Sequence, residues 1–289
     1  MSESSVWQSL AEVAFTQRWV DVDGVRTRVV EAGPADGVPV VLLHGTGGHW
    51  ETFATALGPL SGRYRCVAFD MVGNGFSDKP DQPYEVPVYV DHVLGVMREL
   101  EVDRAHFIGM SLGAWVAARI AVSHPERMRR LVLMSPAGLV ATQSNMARIR
   151  AERTKAVQNP EWDSIKAMFE HLIARKERRL PDLIALRQMI YRRDDTRATI
   201  DHLLALQDPE IRPRNLLDVG EWESIKAPTL VVASGADHGE YQTTARKVAS
   251  LIPGAEVLEM PEVRHWPHFE DPATFNPAAL AFLGRDDAE

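Results

Sequence analysis

A chain of 289 residues with 45% hydrophobic and 25% charged side chains can bury a substantial core, as one large domain or as a core domain carrying an insertion. Its net charge of −8 argues against binding along a nucleic-acid backbone, and the single cysteine, Cys66, excludes an intrachain disulfide framework and a multi-cysteine zinc site. With no basic segment leading into an apolar run at its start, and no apolar stretch near the roughly 18–20 residues of a membrane span, a soluble cytoplasmic protein without membrane partners is expected.

In chain order, residues 18–33, RWVDVDGVRTRVVEAG, read as two strands joined at Asp23-Gly24, a dipeptide suited to a tight hairpin turn. PVVLLHG (39–45), RYRCVAFD (63–70), AHFIG before residue 110 and RLVLMS (130–135) follow as strands, with helical patterns between them. PTLVVAS (228–234) and AEVLEM (255–260) complete a set of eight, separated by a helix over TTARKVASLI. Strands apolar on both faces that alternate with helices imply a mostly parallel sheet covered on both sides, an α/β fold. Residues 140–222 interrupt the alternation with helical periodicity and no strand signal, so we expect a helical cap there, between core segments 1–139 and 223–289. Within 144–218 stand 15 Lys and Arg against 12 Asp and Glu, in an otherwise acidic chain. That excess reflects either ordinary solvated helix faces or a cationic patch for a site that takes anions.

The stretch HFIGMSLGAW carries Ser111 in G-x-S-x-G, flanked by Gly109 and Gly113, where a buried strand meets a helix. Such an elbow holds a serine out of the core on a strained turn, and the glycines let neighbouring backbone pass close by. A serine hydroxyl needs a base, and the base needs an orienting acid. Asp237 follows the strand at 228–234, and His265 lies in the loop after the last strand, so Ser111, Asp237 and His265 are the expected catalytic triad. In LLHGTGGHW, the amide of Thr46, with that of Leu112 just after the serine, is the expected oxyanion hole, and Gly45 and Gly47 are expected against the substrate. Taken singly, each motif has a plain alternative: a chance glycine pattern, a turn-stabilising aspartate, a polar loop histidine. Together, each at the C-terminal end of a strand, they point to catalysis.

HGTGG, DMVGNGFSD (70–78), GMSLG, Asp237 and RHWPHFE resemble landmarks of the α/β-hydrolase superfamily along nearly the whole chain. Haloalkane dehalogenases and epoxide hydrolases of that superfamily carry aspartate at the elbow, which Ser111 disfavours. LLHGTGGHWETF, GFSDKPD, the cap and the His265-Trp266 pair are most similar to the meta-cleavage product hydrolases. The resemblance implies hydrolysis of a C–C bond in a vinylogous 1,5-diketone from aromatic degradation, with no metal or organic cofactor, and homodimers are common in that group. It also implies a cap arginine that binds the substrate carboxylate, and Arg187 in LPDLIALRQMIYRR is the match. On a helix, Arg187 falls on the apolar face with Leu183, Ile184, Ile190 and Tyr191, where it either meets a carboxylate ligand or forms a structural ion pair. Two departures stand out: Met110 precedes the serine where many members have asparagine, and GTGG replaces a Gly-Pro loop. Met110, Trp115 and Trp266 are expected either as pocket wall or as core, and His49, His238 and His268 as structural. The remaining readings are a carboxylesterase or lactonase on the same triad, and a non-catalytic receptor of hydrolase-like fold.

Overall fold

The computed structural model describes residues 5–139, 142–236 and 240–285. Eight strands form one sheet in the order β1-β2-β4-β3-β5-β6-β7-β8: β1 (Phe15–Val22), β2 (Val25–Ala32), β3 (Pro39–Leu43), β4 (Arg65–Phe69), β5 (Ala105–Met110), β6 (Met128–Met134), β7 (Thr229–Ser234) and β8 (Glu256–Met260). β1 and β2 form the expected hairpin, with positive φ at both Asp23 (51°) and Gly24 (85°). β2 pairs antiparallel with β4, and every later pairing is parallel.

Helices α1 (Val6–Leu10), α2 (Ala54–Ser61), α3 (Val86–Glu99) and α4 (Leu112–Ser123) belong to the first half. β5 and β7 are buried along their whole length, as strands covered on both faces must be. The expectation of two buried faces fails at the sheet's borders: β1 and β8 are edge strands with mostly exposed or half-exposed residues, β8 spelling Glu-Val-Leu-Glu-Met. Their charged residues keep an unpaired edge from recruiting another strand.

Between β6 and β7 the described residues hold helices and no strand: α5 (Gln143–Gln158), α6 (Trp162–Leu172), α7 (Pro181–Tyr191), α8 (Asp194–Ala198), α9 (Ile200–Leu203) and α10 (Val219–Glu223), with short 3-10 turns. α7 buries Leu183, Ile184, Arg187, Ile190 and Tyr191, the stripe its sequence spacing predicts, with the guanidinium in the middle of it. After β7 come α11 (Glu240–Leu251), α12 (Pro267–Glu270) and α13 (Pro272–Leu283). Parallel strands all point one way, so the loops after β3, β5, β6 and β8 open at the same edge of the sheet, beneath α5, α6 and α7. Among the described residues no helix is long and apolar enough to cross a membrane.

Candidate active site

β5 delivers Ser111 into a backbone conformation of φ 55° and ψ −112°, the left-handed side that a non-glycine residue rarely adopts. Such a residue costs on the order of 1–3 kcal/mol and persists only where its surroundings fix it. Here the Ser111 amide donates to the Met134 carbonyl at 2.9 Å, and its carbonyl accepts from the Trp115 amide at 3.0 Å. The flanking glycines are there for space. A Cβ on Gly109 would stand 2.4 Å from the Gly113 carbonyl oxygen, and one on Gly113 only 2.1 Å from that of Leu43. Without them α4 could not start so close to β3 and β5, and Ser111 would not be held at the floor of the cavity it lines.

Across the cavity floor, the loop after β3 is folded by a Gly48 amide to Gly45 carbonyl bond of 2.9 Å. The amides of Thr46 and Leu112 have no hydrogen-bond partner among the described residues, and both residues line the cavity. The loop rests on a buried ionic layer. Arg28 donates to both oxygens of Glu51 at 2.9 Å and, through Nε, to Asp70 at 2.8 Å. His49 Nδ1 lies 2.9 Å from Glu51, and Asp70 accepts the Trp50 amide at 2.9 Å. Gly45 lines the cavity as expected, but Gly47 does not. Its amide is taken by Asn74 Oδ1 at 2.8 Å and its Cα faces the Tyr191 hydroxyl, so Gly48 takes the place expected of it at the wall.

His265 lines the same cavity as Ser111. Its main chain is pinned twice: the amide donates to the Leu172 carbonyl of α6 at 3.1 Å, and the carbonyl accepts from Ser135 Oγ at 3.2 Å. The ring packs on Tyr241 at 4.6 Å between centroids. Its buried Nδ1 has no partner among the described residues. Asp237, expected as that partner, lies outside the described residues, as does His238. Burial pushes the imidazole down to about 3, with Arg153 and Arg148 adding to the effect, so the ring is neutral and able to accept a proton. His268 Nε2 donates to the Thr52 carbonyl at 2.9 Å, and His49 belongs to the ionic layer; both act structurally.

Met110, Trp115 and Trp266 are buried and also line the cavity, so the choice between wall and core resolves as both. Arg187, 1% exposed, lines it from above. None of its three side-chain nitrogens makes a hydrogen bond of normal geometry, and no carboxylate pairs with it among the described residues. Aromatic faces hold it, Phe169 at 5.7 Å and Tyr191 at 5.6 Å from the guanidinium carbon. Burial pushes its affinity for a proton down, with Tyr191 opposing and Arg153 adding to the fall. The structural ion pair that sequence left open is therefore not made by the described residues. Sequence reasoning missed Arg153 and Arg212, two more buried arginines at the wall, and the two residues that set the histidine loop, Ser135 and Glu270. The cationic excess of residues 144–218 was the one available signal for the arginines. Among the described residues no three His, Cys, Asp or Glu side chains gather to hold a metal ion.

A family model described as the alpha/beta hydrolase fold matches residues 38–272. The chain is 29% identical over 275 residues to 2-hydroxymuconate semialdehyde hydrolase of Pseudomonas sp. strain CF600, covering 92% of this chain and 93% of that protein. It is 28% identical to 2-hydroxy-6-oxo-6-(2'-aminophenyl)hexa-2,4-dienoic acid hydrolase of Metapseudomonas resinovorans, over 95% of this chain and 93% of that protein. Its fold superposes on 2-hydroxy-6-oxo-6-phenylhexa-2,4-dienoate hydrolase from Rhodococcus sp. strain RHA1 with a TM-score of 0.83, at 19% identity, over 93% and 99% of the two chains.

Proposed function

Because the chain belongs to the alpha/beta hydrolase fold family, we propose that it is a serine-dependent hydrolase that cleaves a C–C bond of a 2-hydroxy-6-oxohexa-2,4-dienoate, the ring-fission product of an aromatic compound. Two relatives that match along nearly the whole chain bear names of that activity. One observation carries the reading to this chain: a strained serine and a buried guanidinium with no carboxylate partner among the described residues face one cavity. A buried cation left unpaired is costly, and a substrate carboxylate would offset that cost.

In the proposed reaction the substrate carboxylate meets Arg187 and the ketone carbon meets Ser111. His265 assists conversion of the dienol to its keto form, so the departing fragment can leave as a stabilised enolate. Ser111 Oγ, giving its proton to His265, bonds to the ketone carbon, and the Thr46 and Leu112 amides take up the oxyanion charge. Each such donor is worth about 3–4 kcal/mol. The C–C bond then breaks, its electron pair passing to the enolate carbon, which takes the proton from His265. Water, deprotonated by His265, releases the acid from Ser111. Asp237 is proposed to fix the tautomer of His265 and stabilise its cation. Met110 and Trp266 supply apolar wall. The free, buried thiol of Cys66 and the acidic charge balance suit a cytoplasmic setting.

The test is the visible absorbance of a ring-fission dienone. The enzyme is expected to bleach it with release of one equivalent of acid, and Ser111→Ala to abolish steady turnover. Persistent absorbance beside efficient turnover of aryl or alkyl esters gives an esterase instead, and binding without turnover gives a receptor.

A further inference from the structure

The helices between β6 and β7 carry many arginines, and the fold treats them in two ways. Those at the surface have carboxylates: Arg148 with Glu152, Arg150 with Asp201, Arg193 with Asp195, Arg214 with Glu85. The three buried at the cavity wall, Arg153, Arg187 and Arg212, have none among the described residues. Arg153 and Arg187 form one group, joined by the Tyr191 hydroxyl, 3.1 Å from Arg153. Arg212 stands apart.

Arg212 is 7% exposed and lies over the Trp115 ring, 4.8 Å from its centroid, on the segment Arg212–Asn215. Its Nη1 donates to the Leu206 carbonyl at 3.0 Å, and its buried Nε has no partner among the described residues. Burial pushes it down to about 10, and no carboxylate among the described residues pairs with it. A buried guanidinium whose hydrogen bonds are this incompletely met among the described residues is arranged for an acceptor that comes from outside the chain. Trp115 covers one face of the guanidinium and leaves its edge for a planar oxyanion.

We propose that Arg212 is a second anion site in the cavity, so that the ligand carries two anionic groups, one held at Arg187 and the other at Arg212. The identity of the first carboxylate rests on the function proposed above; the second site does not.

Binding to the Ser111→Ala protein tests this by calorimetry with nonanedioate and its monomethyl ester, which differ by one charge. The diacid is expected to bind about 10- to 100-fold more tightly. Arg212→Met should remove that advantage while leaving the ester's affinity unchanged, which also shows that the variant is folded. Arg212→Lys keeps the charge without the planar fork and should keep part of the preference. Equal binding of diacid and ester to the Ser111→Ala protein would overturn the proposal. So would a preference that survives Arg212→Met, or a parallel loss of both ligands in the Met and Lys variants. A dienone left uncleaved by the wild-type enzyme would refute the C–C reading alone, since the calorimetry needs no turnover.

Discussion

Arg187 shows how a single side chain can set function against stability. Its guanidinium is buried among Phe169 and Tyr191 with no carboxylate among the described residues, so the folded chain bears its desolvation cost without an ion pair to offset it. Arg187→Met fills similar volume and removes the charge. It should raise Tm by a few degrees, equivalent to about 1–2 kcal/mol, while raising KM for a carboxylate-bearing dienone by roughly 30- to 100-fold. Thermal denaturation and steady-state kinetics on one preparation check both halves. His265 gives a second residue-level expectation. Its ring is pushed down to about 3, first by burial and then by Arg153 and Arg148. The proposed base is the neutral ring, so kcat/KM should stay flat as pH falls past 6.5, where an ordinary histidine would already be losing activity. An acid limb near 6.5 in the pH profile of the free enzyme would contradict the buried, cation-flanked ring.

At the scale of elements, the histidine loop and the helices above it are held as one piece. Glu270 of α12 accepts the Arg264 amide at 2.7 Å with one oxygen and the Ala174 and Arg175 amides, at 2.7 and 3.2 Å, with the other. The His265 amide adds its bond to Leu172, and Trp266 packs edge-on against Phe169 of α6 at 5.6 Å. One carboxylate thus ties the residue before the histidine to the end of α6. Glu270→Ala leaves three main-chain donors without their acceptor, at about 1 kcal/mol or more each. It should lower stability by roughly 3 kcal/mol in denaturant unfolding and cut kcat at least tenfold, because the loop that carries the proposed base loses its anchor. Glu270→Gln, which keeps one acceptor oxygen, should recover part of both.

Over the whole molecule, buried histidines set the acid limit. Burial pushes His44 and His268 down to about 4, His92 and His265 to about 3, and His49 well below its ordinary value. Below pH 6.5 the unfolded chain takes up protons on these five while the folded chain does not, so protonation favours unfolding. Their contribution is intact above 6.5 and is lost as pH falls from there toward 4 and 3. Each pH unit costs about 1.4 kcal/mol per histidine. Near pH 5.5 the five together withdraw about 7 kcal/mol, a large part of a typical 5–15 kcal/mol. Glu51 and Glu270, whose carboxyls burial raises, return some stability at the acid end of that range. Denaturant midpoints at pH 7.5 and 5.5 should differ accordingly, and equal midpoints would refute the burial argument.

The alternation of eight strands with helices, the elbow at Ser111 and the apolar-face position of Arg187 were legible in the residues themselves. Each is a local pattern, written in the period of one strand or one helix or in the glycines of one turn. Which strands stand at the borders of the sheet was not legible, because long-range pairing decides a strand's place, and β1 and β8 are the ones left exposed. Tertiary structure alone decided which arginines go without a carboxylate. Arg212 and Arg214 are two residues apart, yet one lies under cover on Trp115 and the other reaches Glu85 at the surface. Ser135 and Glu270 gained their roles the same way, by meeting a loop 130 residues distant in one case and a cap segment 96 residues distant in the other. Burial and charge pairing are properties of contacts between remote segments, and no period within a single element records them.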